Sequence, residues 1–265
     1  MSDEERRKVL KPNLCPSDVQ CLLETYFLTS VKVGLDSTSP PTVVKQLDSY
    51  DDQNFLVKLL GVEYLLKVHN GVESDNSSVI DLQNSLMLHL NKDPRLCTTS
   101  PLVPSSPSVL QPSPPNSVLV SLPVVSPSHS PHPLVVRLLT YLPGVPLAYK
   151  SVTPSLLLSC GSYLAAIDSS LDVFPPHPAA ERHHAWDGKN TVGLRSFLSY
   201  IPTDSKRELV SSVIDAFEKD ILPFAKDFRT GVLQGDFNDA NIIVGHDDKV
   251  KGVIDFGDAV NRLVS

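Results

Sequence analysis

The chain has 265 residues, a length that suits one large domain or two lobes that share a cleft. Its 41% apolar and 20% charged residues predict a sizeable folded core. The net charge of −7 and the lack of long Lys/Arg runs argue against binding to nucleic acid or to an acidic membrane. There is no apolar leader and no apolar run of about 18 residues, so neither a signal peptide nor a membrane span is expected. The four scattered cysteines predict reduced thiols and a cytoplasmic protein.

The front of the chain predicts a helix followed by an antiparallel meander. The helix begins in "CPSDVQCLLETYF", which carries one apolar stripe. Three short β-like runs follow, "TVVKQLDS", "NFLVKLLG" and "VEYLLKVHN", with a tight turn at Gly61 between the second and the third. "SSVIDLQNSLMLHL" then predicts a second helix.

Residues 99–133 differ in composition from the rest of the chain. They hold ten Pro and ten Ser and no Asp, Glu, Lys or Arg, which predicts a partly flexible segment. "SVLVSLP" inside this segment resembles a strand, and "LVVRLLTYLPG" follows it. We therefore expect a hairpin with flexible flanks.

After Gly144 the pattern becomes mainly helical. "TPSLLLSCGSYLAAIDSSL" has Thr153 as N-cap and Pro154 at the first helical position. "DSKRELVSSVIDAFEKDILPFA" predicts a further helix, and "NIIV" with "VKGVID" predicts a small hairpin. A β-rich front joined to a helical back predicts an α+β fold with two lobes and a cleft.

Polar residues gather at the ends of this last hairpin. Asp236 and Asn241 lie in the loop that leads into it, and Asp255 ends its returning strand. The hairpin brings Asp255 beside Asn241, and a carboxylate with an amide oxygen suits Mg²⁺. Asp236 is left to accept the proton of an attacking hydroxyl. The spacing matches the kinase pattern of D-x-x-x-x-N followed by D-F-G.

The front lobe supplies candidates for nucleotide binding. "EYLLKV" places Lys67 near the end of a strand, where a kinase holds its phosphate-binding lysine. The loop "SYDDQN" lies between the first two strands, where backbone N–H groups would cover the phosphates, although it contains no glycine. The candidates in and beside this loop are Ser49, Asp52, Gln53 and Asn54. The linker "LLTYLPG" would meet a purine through the backbone from Thr140 to Leu142.

Together these motifs resemble the aminoglycoside phosphotransferase/choline kinase superfamily of small-molecule kinases. "GDFNDANIIV" and "GVIDFGD" carry the resemblance. With "SYDDQNF", "EYLLKV", "DLQN" and "VRLLTYLPG", in the same order over residues 45–260, the chain is similar to the hydroxylysine kinases. The resemblance implies a protein-kinase-like fold and transfer of the γ-phosphate of GTP, or ATP, to the hydroxyl of 5-hydroxy-L-lysine. It also implies that Asp236 is the catalytic base, Asn241 and Asp255 are Mg²⁺ ligands, and Lys67 contacts the phosphates.

The resemblance also implies how the chain divides. Residues 1–141 would form a nucleotide-binding N-lobe and residues 142–265 a catalytic C-lobe. The chain ends ten residues after Asp255, where the family continues with further helices, so the C-lobe is expected to be incomplete. The predicted helices over 154–170 and 205–224 should then expose apolar surface and make the chain poorly soluble.

Two further departures from the family concern single residues. The family pattern is His-Gly-Asp, whereas this chain has Gln234 before the glycine, and the exchange is expected to weaken the positioning of the loop. Lys67 should pair with a carboxylate on a helix. Asp81 and Gln83 both lie near the right turn, and only Asp81 is charged.

Three alternatives stay open from the sequence. The chain could be a catalytically impaired isoform or fragment, or a kinase for another amino alcohol such as choline or homoserine. Asp239 either faces the substrate or caps its loop. An acid-lined pocket would suit a diamino acid, and the sequence does not indicate the oligomeric state.

Overall fold

A five-stranded antiparallel sheet forms the front of the molecule. The computed structural model describes residues 3–31, 40–104, 122–125 and 132–263. The strands run in the order β1-β2-β3-β5-β4. Their bounds are β1 Thr42–Leu47, β2 Gln53–Leu59, β3 Val62–Val68, β4 Leu122–Val125 and β5 Pro133–Thr140. The predicted meander and the predicted pairing of a strand with β5 are confirmed. The first strand of this hairpin was predicted over residues 117–123; β4 covers Leu122–Val125 instead, and residues 117–121 lie outside the described part of the chain. The predicted flexibility of residues 105–121 and 126–131 lies outside the described part of the chain.

The turn between β2 and β3 shows why the meander forms where it does. Leu59 pairs with Val62, so the loop has only two residues, Leu60 and Gly61. Both have positive φ, 49° and 87°, as a two-residue hairpin turn of the primed type requires. The predicted tight turn at Gly61 is confirmed.

The sheet separates two apolar clusters. On one face lie α2 (Pro16–Leu22), a π-helical turn (Leu23–Phe27) and α3 (Leu28–Val31). Helix α1 (Asp3–Val9) lies beside Asn70, whose Nδ2 donates to the Arg7 carbonyl oxygen. The residues of α2 and the π-helical turn pack against alternate residues of β2, β3 and β5: Phe55, Val57, Leu59, Leu66, Val68, Val136 and Leu138. On the other face lies α5 (Ser77–Leu90), which follows the short helix α4 (Gly71–Ser74). Because side chains alternate along a strand, the polar residues between the buried ones face α5.

The back of the molecule combines helices with two small sheets. The helices are α6 (Pro154–Leu171) and α7 (Asp204–Asp220). Strands β6 (Val145–Pro146), β8 (Ile242–Val244) and β9 (Val250–Val253) form one sheet, and β7 (Thr230–Leu233) pairs with β10 (Val260–Leu263). The predicted N-cap is confirmed, because the Thr153 hydroxyl accepts a hydrogen bond from the Leu156 N–H. The β7–β10 pair was not predicted.

Contacts across α5 and α6 join the front of the molecule to the back. Their apolar residues form one cluster with Phe256 and Ala259, which follow β9. The Tyr163 hydroxyl donates to the Cys97 carbonyl oxygen at 2.6 Å, and the Thr98 hydroxyl donates to the Val253 carbonyl oxygen at 2.8 Å. The cleft therefore has a fixed floor where the returning strand β9 ends.

Helix α7 keeps much of its apolar surface exposed. Ile214 is its one buried residue in the described structure, whereas the side chains of Leu209 and Val213 are 64% and 58% exposed. Leu157 and Leu158 of α6 are also exposed. The predicted exposure of apolar residues on these helices is confirmed. None of the described helices combines the length and hydrophobicity that a bilayer crossing requires.

Candidate active site

The loop between β7 and β8 holds Asp236 in a fixed orientation. Asn238 Nδ2 donates to Asp236 Oδ1 at 2.6 Å, and Asn241 Nδ2 donates to Asp236 Oδ2 at 2.7 Å. Asn241 Nδ2 also donates to the Asp236 carbonyl oxygen. The carboxylate remains half-buried at the wall of the cleft. An ionised carboxylate has about four lone-pair positions, so a substrate hydroxyl can still bind it.

Gln234 connects this loop to the returning strand. Its Nε2 donates to the Asp255 carbonyl oxygen at 2.5 Å, and its Oε1 accepts from the Asp236 N–H at 2.8 Å. The side chain is buried, so both bonds are shielded from water. Gly235 follows with a φ of 87°, and a Cβ there would lie 2.5 Å from the Asp258 carbonyl oxygen. The local backbone therefore requires the glycine.

Asp255 meets Lys67 across the cleft. Asp255 Oδ2 lies 3.9 Å from Lys67 Nζ, and Asp255 Oδ1 accepts from the Gly257 N–H. Lys67 Nζ also lies 2.9 Å from Asp52 Oδ2. The positive charge of Lys67 lowers the pKa of Asp255. Burial lowers the pKa of Lys67, but Asp255 and Asp52 outweigh it and the net pKa is raised. Both groups are charged at neutral pH.

A cross-strand row of polar side chains faces α5. Asn54 of β2 pairs with Lys67 of β3, and Lys67 pairs with Arg137 of β5. Neighbours in register share a face of the sheet. Arg137 is 2% exposed. Burial lowers its pKa to about 10, which still leaves it charged at neutral pH.

These groups line two adjoining cavities. The larger has a volume of about 360 Å³. The residues that line it include Ser49, Asp52, Lys67, His69, Asp236 and Asp255. The smaller, of about 80 Å³, lies behind Lys67. Its walls are partly apolar, with Leu65, Met87, Leu139 and Phe256, and partly polar, with Asn54 and Arg137. The predicted Ser49, Asp52, Asn54, Lys67, Asp236 and Asp255 are thus brought together.

The prediction that Lys67 pairs with Asp81 on the helix is wrong. Asp52 of the β1–β2 loop pairs with Lys67 instead. Asp81 lies 3.5 Å from His177 Nε2, and Gln83 accepts from Arg137. Residues two positions apart in an α-helix are separated by about 200° around its axis, so Asp81 and Gln83 cannot both face the sheet. Gln83 does so, and it lines both cavities.

Two other predicted residues also point elsewhere. The Gln53 side chain bonds to the backbone N–H and carbonyl of Leu14, on the face of the sheet away from the cleft. Its neighbour Asn54 faces the cleft, because successive residues of a strand alternate. The Thr140 N–H donates to the Ser100 carbonyl, so it is not free for a purine. Leu142 lines neither cavity, and its side chain packs over Gly252, so its purine contact stays a prediction.

Sequence reasoning missed several residues of the cavity wall. Arg7 of α1 pairs with Asp51 at 2.9 Å and with Glu73 at 2.5 Å, which ties α1 to the β1–β2 loop and to α4. No short-range sequence pattern predicts such a contact between distant segments. Arg137 did leave a signal, because it is a single cation inside the apolar run "LVVRLLT".

The oxygen atoms of Asn241 and Asp255 suit a divalent metal ion whose other ligands come from nucleotide phosphates. Within the described ranges no group of three or more His, Cys, Asp or Glu residues could hold a metal ion. Asn241 and Asp255 are adjacent, because the Ile254 N–H donates to the Asn241 carbonyl. Mg²⁺ usually takes one or two such oxygen ligands together with phosphate oxygens and water. The donor set therefore fits Mg²⁺ held jointly with a nucleotide.

The sequence model described as the phosphotransferase enzyme family matches residues 43–264. The chain belongs to this family. A hydroxylysine kinase of Danio rerio is 30% identical over 260 residues, which cover 95% of this chain and 67% of that protein. A hydroxylysine kinase of Xenopus laevis is 32% identical over 81% of this chain and 60% of its own length. The chain thus spans 60 to 67% of the length of these relatives.

Solved structures of phosphotransferases share the fold. A microcompartment-associated aminopropanol kinase superposes with a TM-score of 0.61 at 16% identity. The superposition covers 93% of this chain and 70% of the aminopropanol kinase chain. The amicoumacin kinase hAmiN, in complex with AMP-PNP and Ca²⁺, gives a TM-score of 0.57 at 14% identity over 99% of this chain and 66% of its own. The predicted family and the predicted two-lobed, kinase-like α+β fold are confirmed.

Proposed function

We propose that the chain is a kinase that transfers the γ-phosphate of GTP, or ATP, to the hydroxyl of 5-hydroxy-L-lysine. One observation carries this proposal: Asp236, Asp255 and Lys67 line the same cavity of about 360 Å³. Phosphoryl transfer needs an acceptor for the hydroxyl proton opposite groups that hold the nucleotide phosphates. Lys67 stands on the sheet side of the cavity, and Asp236 and Asp255 stand on the opposite side, so the two requirements are met by separate residues.

The reaction step follows from this placement. The substrate hydroxyl oxygen forms a bond to the γ-phosphorus, while the bond from that phosphorus to the β,γ-bridging oxygen breaks. The nucleoside diphosphate leaves with that oxygen, and the hydroxyl proton moves to Asp236. Asn238 and Asn241 hold the two carboxylate oxygens of Asp236 from behind, so the carboxylate does not have to reorient.

The remaining assignments concern the nucleotide. Lys67 would contact the phosphates, and Ser49, Asp52 and Asn54 lie beside it. Asn241 and Asp255 would hold Mg²⁺, which neutralises charge on the phosphates when it is bound. The partly apolar cavity behind Lys67 would receive part of the nucleotide. We assign residues 1–141 to the nucleotide-binding lobe and 142–265 to the catalytic lobe.

The acid-rich lining supports a cationic amino alcohol as the acceptor. Besides Asp236 and Asp255, four acids line the larger cavity: Asp51, Asp52, Glu73 and Asp258. A surplus of carboxylates concentrates cations such as the ammonium groups of a diamino acid. The names of the relatives indicate 5-hydroxylysine among such compounds. The four unpaired cysteines agree with a cytoplasmic location.

A substrate panel tests the proposal. GDP or ADP release would be measured with GTP or ATP, Mg²⁺ and 5-hydroxylysine, lysine, choline, homoserine or aminopropanol. Lysine is the matched control, because it lacks only the acceptor hydroxyl. Release that requires 5-hydroxylysine supports the proposal. Release with choline, homoserine or aminopropanol instead would assign another amino alcohol. Nucleotide-dependent thermal stabilisation without turnover would indicate a non-catalytic nucleotide-binding protein.

A further inference from the structure

Arg137 is the most deeply buried cation of the cleft, and it has no carboxylate within ion-pair distance in the described structure. Its three groups of N–H donors all reach neutral acceptors. Nε donates to His69 Nε2 at 2.9 Å, Nη1 to Asn84 Oδ1 at 2.7 Å and Nη2 to Gln83 Oε1 at 2.7 Å. A buried cation is costly unless its hydrogen bonds are satisfied, and these three acceptors satisfy Arg137 without a carboxylate.

The first consequence concerns helix α5. Gln83 and Asn84 are consecutive on α5, and the planar guanidinium reaches both of them from β5. A fork of this shape fixes the rotation and the height of the helix against the sheet. Lys67 pairs with the β1–β2 loop, so in the described structure its ion pairs do not hold α5.

The second consequence concerns Lys67. Because Arg137 donates to His69 Nε2, the imidazole is neutral and carries its proton on Nδ1. That nitrogen is buried without a hydrogen-bond partner and lies 3.7 Å from Asp52 Oδ2, which is contact distance rather than hydrogen-bond distance. The same oxygen of Asp52 lies 2.9 Å from Lys67 Nζ. The Asn70 N–H donates to the other oxygen of Asp52. Arg137 therefore orients His69 by a hydrogen bond, and His69 packs against the carboxylate that pairs with Lys67.

We propose that Arg137 is a positioning residue, which sets α5 and the His69–Asp52 pair so that Lys67 is held in the orientation that receives the nucleotide phosphates. It replaces the link that a lysine–carboxylate pair between strand and helix would make. The inference rests on the nucleotide site proposed above. It adds a residue that acts through Lys67, because its three side-chain hydrogen bonds all go to protein groups.

Four variants separate geometry from charge. Arg137→Lys keeps the positive charge but cannot make all three hydrogen bonds, and Arg137→Met removes the charge and the hydrogen bonds together. Asn84 lines neither cavity, so Asn84→Leu acts through Arg137, whereas Asn84→Asp keeps the acceptor. Ser85→Ala on the same helix is the control. We expect Mg-nucleotide Kd to rise about tenfold in both Arg137 variants and about threefold in Asn84→Leu, and to stay unchanged in Asn84→Asp and Ser85→Ala.

Steady-state kinetics add a second criterion. The KM for the nucleotide should rise in the Arg137 variants, while the KM for the alcohol stays within about twofold, because only the phosphate side is disturbed. Wild-type nucleotide affinity in Arg137→Lys would show that charge suffices and would overturn the proposal. Wild-type affinity in Arg137→Met would overturn it as well.

A nucleotide-free readout keeps the inference separate from the proposed function. Spectra of ¹⁵N-histidine-labelled protein report the tautomer of His69, assigned with a His69→Gln variant. The groups that face His69 are Arg137, Lys67, Asp52 and Asp255. We expect an uncharged His69 with Nδ1–H between about pH 5 and 8 in the wild type, and a titrating one in Arg137→Met. A titrating His69 in the wild type, or unaltered spectra in the variant, would overturn the link. Absence of nucleotide binding to the wild type would instead contradict the proposed function.

Discussion

The two walls of the cleft hold their polar groups in different ways. The sheet wall, formed by Asn54, Lys67 and Arg137 with Asp52 and His69, is largely buried and contains charged groups close to one another. The loop wall, formed by residues 234–241, rests on hydrogen bonds that neutral side chains make. Asn238 and Asn241 donate to the Asp236 carboxylate, and Gln234 accepts from the Asp236 N–H.

The difference assigns a task to each wall. Buried and fixed charges attract a polyanion strongly, because little water screens them. A half-exposed carboxylate fixed by amides can accept a proton from an entering hydroxyl without rearrangement. We therefore expect the sheet wall to determine nucleotide affinity and the loop wall to determine turnover. The predictions below test this division in order of decreasing effect.

The largest effect is expected at Asp236. Asp236→Asn should lower kcat by roughly 10²-fold or more, as for loss of a positioned base, while nucleotide affinity stays within a few-fold. Asp239→Asn is the matched control, because Asp239 is exposed in the same loop and lines neither cavity. Steady-state kinetics of both variants check this. Near-normal turnover in Asp236→Asn would leave Asp236 a structural residue.

The next effect is expected at Lys67. Lys67→Ala should raise the nucleotide KM about tenfold or more, because a buried cation facing the phosphates is lost. Lys58→Ala, an exposed lysine of β2, should leave the KM unchanged. Kinetics at varied nucleotide concentration measure both. An unchanged KM in Lys67→Ala would move the phosphate site away from the sheet wall.

A smaller effect is expected at Gln234. Gln234→Ala leaves the Asp255 carbonyl and the Asp236 N–H unpaired in a buried place, and should lower kcat about tenfold. Gln234→His should retain activity above about pH 7 and lose it below about pH 6, where imidazole becomes a cation and cannot accept from Asp236 N–H. The wild-type amide does not titrate. Equal pH profiles of kcat in the wild type and Gln234→His would contradict this account of the brace.

The smallest effect concerns stability at low pH. Lys67 lowers the pKa of Asp255, so the pair stabilises the fold above the ordinary pKa of about 4, and this contribution is lost as the pH falls through the lowered value. Asp255 is 45% exposed, and the contribution should be about 1 kcal/mol or less. Thermal unfolding of the wild type and Lys67→Met at pH 7 and pH 3 should show the difference shrinking with acid. A difference in unfolding temperature that grows from pH 7 to pH 3 would contradict a lowered Asp255 pKa.

Much of the fold and half of the site follow from local patterns. Alternating apolar runs, a two-residue turn and a Thr-Pro helix start predicted the meander, the hairpins and α6. The spacing of Asp236, Asn241 and Asp255 predicted their convergence, because a short hairpin leaves few arrangements. The exposed apolar residues of α7 were also foreseen from its stripe.

The predictions fail where the position of a side chain depends on a shift of one or two residues, or on a contact with a distant segment. Gln53 and Asn54 differ only in the face of β2 that each occupies, and the core below α2 sets that choice. The rotation of α5 placed Gln83 rather than Asp81 at the sheet, because Arg137 and His177 hold opposite sides of the helix. The β7–β10 pair joins segments about 30 residues apart, and such pairings leave little local signal.

Nucleotide titration of the wild type, Asp236→Asn and Asp255→Ala with Mg²⁺ tests the division most directly. Asp255 lies opposite Lys67 and beside Asn241, so its loss should remove the metal site together with the charge that balances Lys67. The account predicts Mg²⁺-dependent binding of GTP or ATP to the wild type and to Asp236→Asn, and no measurable binding to Asp255→Ala by calorimetry. Wild-type affinity in Asp255→Ala, or loss of binding in Asp236→Asn, would contradict it.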